Sequence, residues 1–261
     1  MSSSLLLFPP ETVAIVTGSS SGIGAATVDQ LAQRGVSRFC ITGRNGEGLA
    51  ETQKKTLEVN KGTEFVVVKG DLTDLKTCDK IVSETVDKFG RIDILVNNAG
   101  MGFLGSVRDA PIEQFQEVFD LNVKQVVYMC KLCLPYLEKT KGNIVNVSST
   151  VALKSYANSA NYNMSKAALD MFTMTLAAEE GERGIRVNGV NSGIVNTGMH
   201  ARCLPPELVA HVLSMKSNAI GRVGEAEELA RAIVFLASKE ASFITGSNVR
   251  VDGGMYCYNP L

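Results

Sequence analysis

Two patterns of apolar spacing alternate along the chain from end to end. Short β-branched runs recur at residues 13–17 (VAIVT), 38–42 (RFCIT), 64–69 (EFVVVK), 92–97 (IDILVN), 143–149 (NIVNVSS), 185–191 (IRVNGVN) and 248–252 (NVRVD). Most are apolar on both faces, as strands covered by helices on either side must be. Helical patterns such as GAATVDQLAQRG, KTCDKIVSETVDKFG and AEELARAIVFLAS separate them. Repeated strand–helix units predict an α/β fold, a doubly wound parallel sheet of about seven strands with helices on both faces. No Pro/Ser-rich linker or internal repeat intervenes, so 1–261 is expected to form one domain. One segment breaks the alternation: residues 197–221, TGMHARCLPPELVAHVLSMKSNAIG, follow the sixth run without a strand of their own. An excursion of that length at the edge of such a sheet predicts a substrate lid.

Composition narrows the function classes. Of 261 residues 45% are hydrophobic and 20% charged, with a formal net charge of -1 and no block of like charges. That argues against nucleic-acid binding, which needs a basic patch, and against a charged membrane-surface binder. No apolar run approaches the ~20 residues a bilayer span requires. The opening MSSSLLLFPP has an apolar patch of four residues and no basic flank, which makes it a short lead-in rather than a signal peptide. The six cysteines are scattered, and Cys130 and Cys133 form a C-x-x-C inside a helical pattern with no second pair to complete a metal site. No metal is expected. The acceptor patterns at Asn146 and Asn163 lie in an apolar strand and beside Tyr162, not in surface loops. A reducing, cytoplasmic location is the simplest expectation.

The chemistry begins at TGSSSGIG, residues 17–24, where the first strand meets the first helix. Gly18, Gly22 and Gly24 permit a tight turn and a close approach of a pyrophosphate to backbone N–H groups at a helix N-terminus; a plain turn would need only one of them. Ser19, Ser20 and Ser21 add hydroxyl donors. At the end of the second strand, nucleotide sites that take NAD usually carry an acid for the ribose hydroxyls. Gly43 and Arg44 stand there instead. Arg44 can pair with a 2′-phosphate, which favours NADP(H) over NAD(H), the alternative being a solvent-facing arginine in a turn. In ANYNMSKAAL, residues 160–169, Tyr162 and Lys166 share one helical face. By themselves they are equally readable as a proton-transfer pair or as two surface residues.

Taken in order, TGSSSGIG, NNAG (97–100), NVSS (146–149), YNMSK (162–166) and VRVDGG (249–254) resemble the short-chain dehydrogenase/reductase family in its single-domain branch, over essentially the whole chain. The resemblance implies a Rossmann-like catalytic domain that binds NAD(P), and an enzyme interconverting a carbonyl and a secondary alcohol. It implies that Tyr162 is the general acid/base, Lys166 its partner, and Ser149 the holder of the substrate oxygen. Asn122 would organise a water-linked proton path. On the cofactor side it implies contacts from the turn, Ile23 included, from Asp71 and the neighbouring Leu72 at the adenine, and from Asn98, Ala99 and Gly100 at the ribose. Tyr162 and Lys166 would touch the cofactor too, as would Val195 and Thr197 beyond the sixth strand. A homodimer or homotetramer is implied as well. The family's proline after that strand is replaced by Ser192, which predicts a looser turn at Ser192–Gly193.

A free phenol has a pKa of about 10, too high for base work near neutrality. An ammonium one helical turn away and the positive ring of the oxidised cofactor are both expected to favour the phenolate. His200 and His211 fall in the lid and are expected to be surface or substrate-adjacent residues. A non-catalytic NADP(H)-binding regulator or redox sensor on the same fold is the competing reading, and the set Asn122, Ser149, Tyr162 and Lys166 disfavours it. The substrate is expected to be small and lipophilic, on the strength of Met101, Phe103 and Leu104 in MGFLGSVRDAP.

Overall fold

All seven β-branched runs form strands. They are β1 (Val13–Val16), β2 (Arg38–Gly43), β3 (Glu64–Lys69), β4 (Ile94–Asn97), β5 (Asn143–Ser149), β6 (Arg186–Ser192) and β7 (Asn248–Val251). In this computed structural model, residues 6–203, 206–214 and 217–259 are described, with the backbone alone for His200, Arg202, Leu208 and His211. The lead-in residues 1–5 and the side chains of both histidines therefore lie outside the described residues.

The strands make one parallel sheet in the order β3-β2-β1-β4-β5-β6-β7. Helices α1 (Gly22–Gln33), α2 (Gly46–Val59), α3 (Leu75–Phe89), α4 (Ile112–Phe119), α5 (Gln125–Thr140), α6 (Ala160–Glu180) and α9 (Ala226–Ala237) connect them. The architecture is Rossmann-like, with the strand order reversing between β1 and β4. The strand period of two sorts successive residues to opposite faces. Ile15 enters a core shared with Ile81, Met129 and Leu176 of α3, α5 and α6. Its neighbours Ala14 and Val16 enter the other core, with Leu31 of α1 and Ile233 of α9. Each fully buried aliphatic side chain contributes roughly 1.5–3 kcal/mol, which is why strands such as β1, β4 and β5 carry no exposed residue. The edge strands differ: β3 exposes Glu64, Val67 and Lys69.

The 197–221 excursion carries two short helices, α7 (Met199–Cys203) and α8 (Pro206–Ser214). Its base is pinned where Asn196 N donates to Gly224 O at 2.8 Å and Gly224 N to Ile194 O at 2.9 Å. The chain between leaves the sheet and returns to it, with Ile220 N bonded to Gly253 O. Among the described residues no helix is long and apolar enough to cross a membrane.

Candidate active site

A crevice of about 450 Å³ opens at the C-terminal ends of the strands, at the point where their order reverses. One wall is the β1–α1 turn. Gly18 has φ +65, and a Cβ there would lie 2.9 Å from Ala99 Cα, so only glycine closes this turn against residues 98–100. Thr17 locks the same junction. Its hydroxyl accepts from Asn98 N and Ala99 N, each at 3.0 Å, while Asn98 Nδ2 returns bonds to Thr17 O at 2.8 Å and Gly18 O at 3.1 Å.

Ser20, Ser21, Gly22 and Ile23 line the crevice, as do Asn98, Ala99 and Gly100. Ser21 stands at the N-cap of α1 without a capping hydrogen bond from its side chain. Two residues of the glycine-rich turn depart from expectation. Ser19 is fully buried and its hydroxyl accepts from Thr42 N at 3.0 Å, bracing β1 against β2 instead of pointing into the crevice. Gly24 lets α1 pack on the turn, where a Cβ would overlap the Gly18 carbonyl.

Arg44, Asp71 and Leu72 sit together at the far end of this crevice. Arg44 Nη1 approaches Asp71 Oδ2 at 3.6 Å across an exposed surface. Burial opposes ionisation of Asp71, but hydrogen bonds from Thr73 N and Thr73 Oγ1, with the Arg44 charge, outweigh it and hold the carboxyl below its usual value.

The crevice continues into a cavity of about 370 Å³ whose lining includes Ser149, Tyr162 and Lys166. Two elements bring these residues together: β5 ends at Ser149, and Tyr162 and Lys166 lie one turn apart near the start of α6. The Ser149 hydroxyl lies beside the phenol of Tyr162, where it favours the ionised form. It also lies 3.3 Å from Ser192 O, which Thr150 Oγ1 reaches at the same distance. Ser192 donates its own hydroxyl to Gly193 O at 2.8 Å, and Gly193 N bonds Val251 O. The turn expected to be loose without proline is braced by these bonds.

Lys166 is buried and its ammonium donates to Val147 O at 2.8 Å, with Nζ 5.9 Å from the centroid of the Tyr162 ring. Burial pulls this lysine down to about 8, partly opposed by the Asp170 carboxylate. In the cofactor-free chain burial dominates at the tyrosine. Tyr162 keeps some surface toward the cavity, yet protein packs closely round its phenol, and burial pushes it up to about 12 against the lowering effect of Ser149. With Lys166 committed to Val147 O, burial outweighs any ammonium assistance, and the phenol is protonated at neutral pH.

Asn122 is fully buried in a single π-helical turn, Asp120–Lys124, between α4 and α5. Its Oδ1 accepts from Met101 N at 2.9 Å, and its Nδ2 donates to Met101 O at 2.9 Å and Ser165 Oγ at 3.0 Å. Both amide hydrogens are thus committed to the protein, so the side chain anchors the 101 loop to α6. It still borders the site: a Cβ on Gly100 would lie 3.1 Å from Asn122 Oδ1 and 3.5 Å from Lys166 Nζ. Val195 and Thr197 line the cavity, with Thr197 also facing the crevice.

Cys130 and Cys133 are buried, and burial raises both thiols, that of Cys130 to about 12, which leaves them unreactive. Asn146 is buried in a bond with Asn97. Sequence reasoning passed over Thr17, Asp170 and Asn191, and the cavity wall of Tyr156, Val212 and Met255. Thr17 adjoins the glycine-rich turn and was within reach; the others carry no motif.

A parallel sheet with a glycine turn at its reversal point is the architecture of dinucleotide-binding enzymes. A family profile described as Enoyl-(Acyl carrier protein) reductase matches residues 18–256. The chain belongs to the short-chain dehydrogenase/reductase family, whose members bind nicotinamide cofactors. It is 33% identical over 254 residues to the trans-4-hydroxycyclohexanecarboxylate dehydrogenase of Sinomonas cyclohexanicum, spanning 96% of this chain and 95% of that one. It is 36% identical over 249 residues to a 3-oxoacyl-(acyl-carrier-protein) reductase of Thermotoga maritima, spanning 93% and 97%. A crystal structure of a short-chain dehydrogenase/reductase of unknown function from Caenorhabditis elegans, with cofactor, matches at a TM-score of 0.89 and 35% identity, covering 96% of this chain and 98% of that one. These named relatives are dehydrogenases and reductases.

Proposed function

We propose that this chain interconverts a carbonyl and a secondary alcohol on a small, uncharged, apolar molecule, with NADP(H) preferred over NAD(H). The observation that carries the reading is the Tyr162 phenol beside Ser149 in one apolar cavity, with Lys166 buried one turn further along α6.

The residues of the crevice fit a dinucleotide. The N-terminus of α1 lacks a side-chain cap, leaving first-turn N–H groups for a pyrophosphate. Arg44 lines the end where the second phosphate of NADP would need a cation. Its exposed pair with Asp71 is worth at most about 1 kcal/mol, so the arginine gives it up easily. Asp71 and Leu72 would flank the adenine, and Val195 and Thr197 the nicotinamide end. When bound, the nicotinamide supplies or accepts the hydride.

The rest is the work of the chain. In reduction Ser149 holds the carbonyl oxygen, and Tyr162, protonated because it is buried, gives that oxygen its proton. Lys166 supports the phenolate left behind with its positive charge. Among the described residues lining the cavity Lys166 alone is charged, and the remaining wall is largely apolar, which suits a lipophilic substrate. Residues 1–261 act as one catalytic domain, with 197–221 closing over the substrate. Met164, Met171 and Met174 are exposed along α6, an apolar face that a second copy would cover in a homodimer or homotetramer. The free cysteines suit a reducing compartment such as the cytoplasm.

The test is oxidation of NADPH and of NADH by the purified chain against a panel of neutral ketones, quinones, steroids and acyl thioesters. Turnover of a neutral ketone with NADPH favoured is expected. Absence of turnover across the panel would refute the reading.

A further inference from the structure

Among the described residues, only two side chains of Asp, Glu, Lys and Arg are buried, Lys166 and Asp170, at 4% and 6% exposure. The proposed chemistry uses one and leaves the other without a task. They lie one helical turn apart on α6, so that Tyr162, Lys166 and Asp170 follow one another along a single face.

Asp170 Oδ2 accepts from Asn191 Nδ2 of β6 at 2.7 Å. The same nitrogen donates to Ser149 O at 3.1 Å, so one amide links the carboxylate to the residue that touches the Tyr162 phenol. Oδ1 meets no donor at full hydrogen-bond geometry. The Ser148 hydroxyl lies against the carboxylate and contacts Lys166 O at 3.4 Å, so rotation of its hydrogen can serve either. On the far side, Asn248 Nδ2 of β7 donates to Asp170 O at 3.2 Å. Glycine at position 189 makes room for that reach, since a Cβ there would overlap Asn248 Oδ1. Asp170 thus joins α6 to the ends of β5, β6 and β7.

A carboxylate at this depth is costly without an opposite charge. Asp170 is the charged group that acts on Lys166, and Lys166 the one that acts on Asp170. Tyr162 lies beyond Lys166, faced by Cys203 of α7, and the β5 and β6 residues against the pair are the neutral Ser148, Ser149 and Asn191.

We propose that Asp170 is a positioning residue for the carbonyl–alcohol reaction: its carboxylate fixes Ser149 through Asn191 and lies one helical turn from Lys166, the lysine that follows Tyr162 on the same face. The inference rests on the function proposed above. Burial lowers the proton affinity of Lys166, and Asp170 opposes that shift. Removing the carboxylate would let Lys166 lose its proton at lower pH, within the range where the reaction must run.

Asp170→Asn keeps the shape and an oxygen for Asn191 while removing the charge. Nuclear magnetic resonance of isotopically labelled lysine in the cofactor-free full chain reads the Lys166 midpoint directly, assigned with Lys166→Arg. The midpoint is expected to fall by roughly one pH unit, and the alkaline limb of kcat/KM for ketone reduction to fall with it. A merely structural role would lower kcat and leave both in place. Asn191→Ala, which retains the carboxylate, is expected to lower kcat about tenfold or more with the limb unmoved.

An unmoved Lys166 midpoint in Asp170→Asn overturns the proposal, and so does Asn191→Ala with wild-type kcat. If Asp170→Asn does not unfold cooperatively, Asp170→Ser carries the titration, and if neither folds the Asn191→Ala result decides. A shifted midpoint in a chain that reduces no carbonyl would refute the function proposed above while upholding the Asp170–Lys166 coupling.

Discussion

The two ends of the site are built from different materials. The nucleotide end is made largely of backbone: a glycine turn, an uncapped helix start and an exposed Arg44–Asp71 pair. The catalytic end is made of side chains whose ionisation is set by burial: Tyr162 pushed up to about 12, Lys166 pulled down to about 8, and Asp170 raised. At the first end, geometry is fixed by what is missing, a Cβ or an acid. At the second it is fixed by groups that protein burial holds out of water, where each unpaired charge is costly. The first should therefore fail through shape and the second through charge.

The sharpest way to break this contrast is at the catalytic end. Tyr162→Phe removes one oxygen, and kcat should fall about 10³-fold while NADPH affinity holds, read by steady-state kinetics and by fluorescence titration of bound cofactor. At the nucleotide end a single methyl should suffice. Gly18→Ala forces a residue with a side chain into φ +65 and against Ala99, and urea unfolding should show a loss of about 1–3 kcal/mol with weaker cofactor binding. Arg44→Asp should shift the ratio of kcat/KM for NADPH to that for NADH by about tenfold or more toward NADH, because a carboxylate repels the 2′-phosphate. The smallest effect is in pH. Lys166 releases its proton as pH rises through about 8 rather than through its ordinary 10.5, so reductive kcat/KM for the cofactor should hold below that point and decline above it.

The contrast also governs what could be read without coordinates. Strand existence was legible everywhere, in the central strands because runs buried on both faces have little else to be, and at the edges because the runs are β-branched; the observed ends differ by a residue or two. The glycine turn, Asn98, Ser149, Tyr162 and Lys166 were legible because each sits in a short local motif. Within that motif the sequence could not separate Gly18, which shapes the crevice, from Ser19 and Gly24, which pack behind it. Asp170 was hidden for a different reason. On a helix rich in polar residues an aspartate reads as a solvated position, and only the crossing of β6 reveals that Asn191 awaits it. The cavity wall draws on Phe103, Tyr156, Met199 and Met255, residues that no spacing rule connects.

The ionisation of Tyr162 in the cofactor-free chain depends on features of the same kind. A lysine four residues away suggests assistance, but Lys166 turns its ammonium to Val147 O, and burial decides the balance. The sequence places the two side chains on one face; it does not say where their hydrogen bonds go.

The central claim is that Tyr162 completes hydride transfer to a neutral carbonyl at this site. The most direct measurement uses NADPH deuterated at the position it gives up as hydride, with a neutral cyclic ketone, and follows the label in wild type and in Tyr162→Phe. Deuterium is predicted on the carbinol carbon of the secondary alcohol formed by wild type, and about 10³-fold less of that product from the variant in the same time, although both bind the cofactor. No labelled alcohol from wild type, or an equal yield from Tyr162→Phe, would contradict the account.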